Sequence, residues 1–133
     1  MIPKFRAWLL EEREMQNVLA FDTRGHSFFG IEGTHITVEG WCDFFEVDKQ
    51  AVLMQSAGPK DKNGREIFDG DFLTDGEERW IVRYSETECG FTASGVGKSG
   101  CWSLYHLANG SKKGRLIEVI GNKYENPELS KFR

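Results

Sequence analysis

The stretch Gly58 to Leu73, GPKDKNGREIFDGDFL, decides how the rest of the chain is read. Asp61-Lys-Asn-Gly64 has the composition of a tight reversal, with the glycine supplying the left-handed position such turns demand. Arg65 to Phe68 follows as a short extended segment. Asp69-Gly70-Asp71 is a second turn, delivering Phe72 and Leu73 into another strand. Apolar runs flank the stretch on both sides, which predicts two β-rich halves, 1–58 and 59–133.

Outward toward the N-terminus, the 2–8 segment alternates Phe5 and Ala7 against Lys4 and Arg6, as a strand does. Glu11 to Gln16 is polar and suits a turn of helix or a hairpin connection. Met15, Val18, Leu19 and Phe21 resume the apolar signal. Asp22 to Gly25 is a turn candidate, followed by the apolar residues Phe28, Phe29 and Ile31. His35 to Val38 alternates again, Trp41 to Val47 fits strand or short helix, and Ala51 to Gln55 leads as a strand into the central turn.

Toward the C-terminus, Arg79 to Tyr84 has the cleanest period of two in the chain. It predicts a core face of Trp80, Val82 and Tyr84 and a solvated face with Arg79 and Arg83. Gly90 to Ala93 is the next strand, Ser94 to Gly100 a glycine-rich loop, and Cys101 to Leu107 a strand or a single helical turn. Asn109-Gly110 reads as a turn. Leu116 to Ile120 is a strand stopped by Gly121, and Asn126-Pro127 opens a short terminal turn as N-cap and first helical residue. The expected fold is therefore mainly β with little helix: two small lobes sharing a core, the second opening in the manner of an SH3-like barrel.

The 133 residues suffice for one ordinary core, and 39% apolar with 29% charged residues is a globular balance. Fifteen glycines against three prolines fit many tight turns between short strands. The net charge is −4, and residues 1–60 and 61–133 each carry more acids than bases, so overall charge offers no case for non-specific nucleic-acid binding. Three cysteines are an odd number, which argues against a disulfide scaffold and for a reducing compartment. No basic leader precedes an apolar run and no apolar stretch is long enough to span a bilayer, so a cytoplasmic, non-membrane protein is expected.

Several segments together carry a resemblance: KFRAW (Lys4 to Trp8), LMQ (Leu53 to Gln55), KDKNGREIFDGD (Lys60 to Asp71) and EVIGNKYENPEL (Glu118 to Leu129). They resemble the YopX family, small proteins found largely in bacteriophages and prophages, and they cover nearly the whole chain in family order. The resemblance implies a mostly β protein in a bacterial host and supplies no catalytic residue to carry over. Two departures stand out: Leu9 replaces the usual acidic residue after FRAW, and Pro59 replaces the common leucine after Gly58. Pro59 stiffens the entry to the turn and removes a backbone donor.

Asp61, Asn63, Glu66, Asp69 and Asp71 are a dense oxygen-rich set, but counted from Asp61 the glycine falls at position 4 of the loop rather than the calcium-loop position 6. The turn residues Asp61, Asn63, Gly64, Asp69, Gly70 and Asp71 are better explained by carboxylate and amide bonds to turn N–H groups. Cys42, Cys89 and Cys101 with His26, His35 and His106 lack zinc spacing and read as buried thiols and surface histidines. A Cys101–His106 pair has no orienting partner, and the Gly95 to Gly100 loop fails the P-loop pattern. Arg79, Arg83, Lys98, Lys112, Lys113 and Arg115, among Trp80, Tyr84, Phe91, Trp102 and Tyr105, form a candidate nucleic-acid or partner surface.

The expectation is a non-enzymatic binding or assembly protein with no catalytic residue, metal or cofactor. Its partner would be another protein or a second copy, and a small-molecule ligand is left unknown. The alternatives are nucleic-acid binding by a small barrel, and a metal-dependent enzyme using Asp69 and Asp71.

Overall fold

The computed structural model describes residues 4–97, 100–108 and 116–131. It divides into two compact units, Met1–Gln55 and Ser56–Arg133, and the described residues are mostly strand.

In the first unit, β1 (Phe5–Leu9) and β2 (Glu14–Asp22) form an antiparallel hairpin, reversed with Arg13 in the left-handed region. β3 (His35–Val38) pairs with β2, and the two-residue β4 (Phe45–Glu46) pairs with β3. On the other side of β1 lies the first half of β5 (Ala51–Lys60). The spatial order is thus β4-β3-β2-β1-β5. Alternation places Ala7, Leu9, Ile36 and Val38 on one face, where they bury with Phe45 and Ala51. Leu9, which departs from the family pattern, is fully buried there.

In the second unit, the far half of β5 pairs with β6 (Glu66–Phe68), and the register shifts between Ser56 and Lys60. Pro59 falls inside that irregularity, a place where a strand tolerates a missing N–H. β7 (Asp71–Thr74), β8 (Arg79–Ser85), β9 (Gly90–Gly95), β10 (Cys101–Ser103) and β11 (Glu118–Asn122) make an antiparallel sheet ordered β10-β9-β8-β7-β11. Its outer strands do not pair with each other among the described residues.

One face buries Trp80, Val82 and Ala93 with Ile67, Leu73, Ile117 and Val119, capped by Leu104 and Leu107 of α1 (Leu104–Ala108). The opposite face carries a smaller cluster of Phe72, Ile81 and Val96, joined by Ile120 and Leu129. The alternation in β8 is therefore only partly as expected. Ile81 is buried because this second cluster covers it, and Tyr84 is exposed because it lies at the end of the strand.

Other boundaries also move. β9 takes in Ser94 and Gly95, which the glycine content had suggested as loop. The 101–107 segment is both things at once, three residues of strand and then the helix. Gly121 sits inside β11 at a register shift, where a Cβ would overlap the Asn126 side chain. Asn126 does not cap the terminal 3₁₀ turn Pro127–Ser130 through its side chain; its Oδ1 accepts the Asn122 N–H instead, at 3.2 Å.

The central stretch ties the second unit together. Asp61 is only 7% exposed, and its carboxylate accepts the N–H groups of Asn63 (2.9 Å), Arg65 (2.8 Å) and Val119 (3.0 Å). Lys62 N–H donates to the Ile117 carbonyl at 2.9 Å. Gly70 donates to Val82 and accepts from Lys123, each at 2.9 Å. Asp71, 1% exposed, accepts the Phe68 N–H at 2.8 Å.

Candidate functional site

The sequence candidates divide by location. Asp61 and Asp71 are buried acceptors of backbone N–H groups, committed to holding turns. Burial pushes the Asp61 carboxyl up, but the Val119, Arg65 and Asn63 N–H groups outweigh it and hold it below the usual carboxylate value. Asn63 and Gly64 are exposed in the turn, Asn63 reaching Glu118 at 3.4 Å. Gly70 is buried and Asp69 half-buried.

Among the described residues, no group of three or more His, Cys, Asp or Glu side chains could hold a metal ion. All three cysteines are free and exposed, correcting the expectation of buried thiols, and His35 is the buried histidine.

Of the basic candidates, Arg83 is exposed, whereas Arg79 donates to the Lys131 carbonyl at 2.8 Å. Lys98, Lys112, Lys113, Arg115 and the expected Asn109-Gly110 turn lie outside the described residues. Trp80 is core, while Tyr84 and Phe91 meet edge to face at 5.4 Å.

A surface that sequence reasoning missed lies in the first unit. At the end of β2, Asp22 accepts the Arg24 backbone N–H at 2.8 Å and its guanidinium through Nε (3.1 Å) and Nη2 (2.9 Å). These bonds, the side-chain one first, hold the Asp22 carboxyl well below the usual range. The chain then closes a tight loop: His26 N–H donates to the Ile31 carbonyl at 2.7 Å and Ile31 N–H returns to His26 at 3.0 Å. Between them Ser27–Phe29 makes one 3₁₀ turn, ended by Gly30 at φ 68°.

The loop turns its phenyl groups outward. Phe28 is 85% exposed and Phe29 56%. Phe29 touches Phe28 (5.0 Å between ring centroids), His26 (4.8 Å) and Phe44 (5.3 Å), and Phe44 in turn touches His35 at 5.1 Å. Phe28, Phe29 and Phe44 thus form a continuous aromatic ridge, and Phe44 lines two hollows.

One hollow, of about 430 Å³, has Ala20, Asp22, His35 and Thr37 of the β2–β3 pair with His26 and Phe44 along it, and Phe21 and Arg24 also line it. The other, of about 320 Å³, is lined by Phe29, Ile31, Cys42, Phe44 and Phe45, among others. Nδ1 of His35 is buried without a hydrogen-bond partner among the described residues. Phe28 and Phe29 were expected simply to continue an apolar signal. The clue to their exposure is the pair of glycines, Gly25 and Gly30, bracketing a segment too short for a strand.

The two glycines act differently. A Cβ on Gly25 would lie 2.5 Å from the Ile31 carbonyl oxygen and 2.8 Å from that of Glu32, both backbone atoms, whereas one on Gly30 meets nothing within 4 Å. Gly25→Ala is expected to cost about 1–3 kcal/mol by overpacking and to speed hydrogen exchange at the His26 and Ile31 amides. Gly30→Ala should cost about 1–2 kcal/mol from the left-handed backbone alone and leave the His26–Ile31 pairing in place. Equal exchange in the two variants would contradict this assignment.

The sequence profile of YopX, described as "YopX protein", matches residues 4–131. The chain belongs to the YopX family. No curated protein matches the chain. The crystal structure of protein EF1440 from Enterococcus faecalis is similar, with a TM-score of 0.63 and 27% identity, over 98% of this chain and 99% of that one. The family is carried largely by bacteriophages and prophages, and the two-sheet, mostly β architecture agrees with what the resemblance implied. No helix among the described residues is long and apolar enough to cross a membrane.

Proposed function

We propose that this protein acts by binding another protein surface through the Phe28–Phe29–Phe44 ridge, and not by catalysis. The observation that carries this reading is Phe28: a phenyl ring 85% exposed on a loop whose backbone is already pinned at both ends. Exposed aromatic rings beside concave, partly apolar walls are the usual anchors of protein interfaces. A pre-formed loop binds with less ordering cost than a floppy one.

The acidic central turn supports no competing enzyme reading, because Asp71 is buried and accepts a turn N–H. Nucleic-acid binding has less support, with Arg79 engaged at the C-terminal turn and the overall charge negative. The setting we propose is the cytoplasm of a bacterial host.

The test is capture from phage-infected host lysate on immobilised wild type and on a Phe28→Ala/Phe29→Ala variant, with and without nuclease. A protein retained by wild type after nuclease, and reduced at least about tenfold on the variant, is expected. The variant should stay folded, losing about 1–3 kcal/mol from the Phe29 contacts with His26 and Phe44. Equal retention on both, or recovery of nucleic acid that nuclease abolishes, would overturn the reading.

A further inference from the structure

We propose that the ridge serves a second copy of this chain, Phe28 of each protomer seating in the hollow between His26, His35 and Phe44 of the other. The proposal rests on the binding reading above and deepens it by naming the partner.

Knob and hollow lie side by side on one unit. Phe28 meets Phe29 edge to face, and Phe29 contacts both His26 and Phe44, which are walls of the 430 Å³ hollow. A two-fold axis passing between a protrusion and an adjacent recess places each protrusion opposite the other copy's recess. Such self-complementarity is what an isologous interface requires. The recess suits the guest, because Phe21, Phe44 and the two imidazoles give a phenyl ring edges and faces to pack against.

Charge favours the same occupant. Asp22 and Arg24 stand together along the hollow as one carboxylate and one guanidinium, so the patch is electrically balanced. Two copies facing each other there meet no like-charge excess, although the chain as a whole carries −4. Area points the same way. Of the roughly 150–250 Å² that an aromatic side chain can bury, Phe28 keeps most for a partner and Phe29 and Phe21 about half, and Leu19 is exposed beside Phe21 on the same strand. Contributed by both partners, that apolar area forms the centre of a standard-sized interface, with polar residues left for the rim.

The experiment is sedimentation velocity of the full chain over a dilution series, for wild type, Phe28→Ala and Ala20→Trp, and for the two variants mixed. Ala20 is exposed on β2 and lines the hollow, so a tryptophan there blocks the recess and leaves the knob. Wild type is expected to dimerise. Phe28→Ala removes two hot-spot contacts at once and should weaken the dimer on the order of 10³-fold. Ala20→Trp should also be monomeric. The mixture regains one knob-in-recess contact and should show a heterodimer absent from either sample alone.

A wild type that stays monomeric, or a dimer that Phe28→Ala leaves intact, overturns the proposal; the latter result needs no tryptophan variant to be decisive. A monomer that still captures a foreign protein through Phe28 would sink self-association while leaving the binding reading in place.

Discussion

Asp61→Ala is expected to destabilise the protein by about 3–5 kcal/mol, because one carboxylate serves three backbone donors. Oδ1 accepts Asn63 and Arg65 and so shapes the turn; Oδ2 accepts Val119, 58 residues away, and so fixes β11. Asp61→Asn keeps an oxygen for the turn but must either present an NH₂ to the Val119 N–H or give up the turn donors. It should lose less, about 1–3 kcal/mol.

The pH dependence follows from the direction of the Asp61 shift. A carboxyl held below its ordinary value in the folded state binds fewer protons than the unfolded chain does in that range. Its contribution is complete above the ordinary carboxylate value and is lost as pH falls through the lower, folded-state value. The urea midpoint of wild type should therefore fall below about pH 4, and part of that fall should be missing in Asp61→Asn. Parallel acid profiles for the two proteins would show that Asp61 does not carry the effect.

Trp80→Ala is the second large expected loss, about 3–5 kcal/mol. Trp80 is fully buried at the centre of the cluster formed by Ile67, Leu73, Val82, Leu104 and Leu107. Its removal leaves a cavity that strands on one side and α1 on the other cannot close without moving. Trp80→Phe keeps most of the apolar volume and should cost clearly less. Urea midpoints for the two variants check this, and similar losses would mean that the indole's size is not what the core uses.

How much of this was legible beforehand depends on whether the cause was local. The reversal at Asp61-Lys-Asn-Gly64 was readable because turn chemistry lies within four residues, and Asn63 and Gly64 sit in the turn as expected. That the same carboxylate also holds Val119 was not readable, since no spacing announces a partner in a distant strand. Alternation in β8 placed Trp80 and Val82 correctly. It could not say that a second cluster would cover Ile81, or that Tyr84 would run past the core's edge, because both depend on what packs over the sheet.

The binding surface was missed for the same reason. In sequence, Phe28 and Phe29 are two more apolar residues, and burial is the default expectation for phenylalanine. Only the closure of His26 on Ile31, and the tight approach of Gly25 to that closure, turn them outward. The basic candidates drew attention instead because charge is visible in a sequence and exposure is not.

The most direct measurement places a photoreactive benzoyl-phenylalanine at position 28 and, as a control, at exposed Tyr105 in the other unit, in phage-infected cells. Irradiation is expected to yield a discrete protein–protein cross-link from position 28 and none of comparable intensity from position 105. Cross-links of equal strength from both, or from position 105 alone, would contradict the claim that this protein binds through its aromatic ridge.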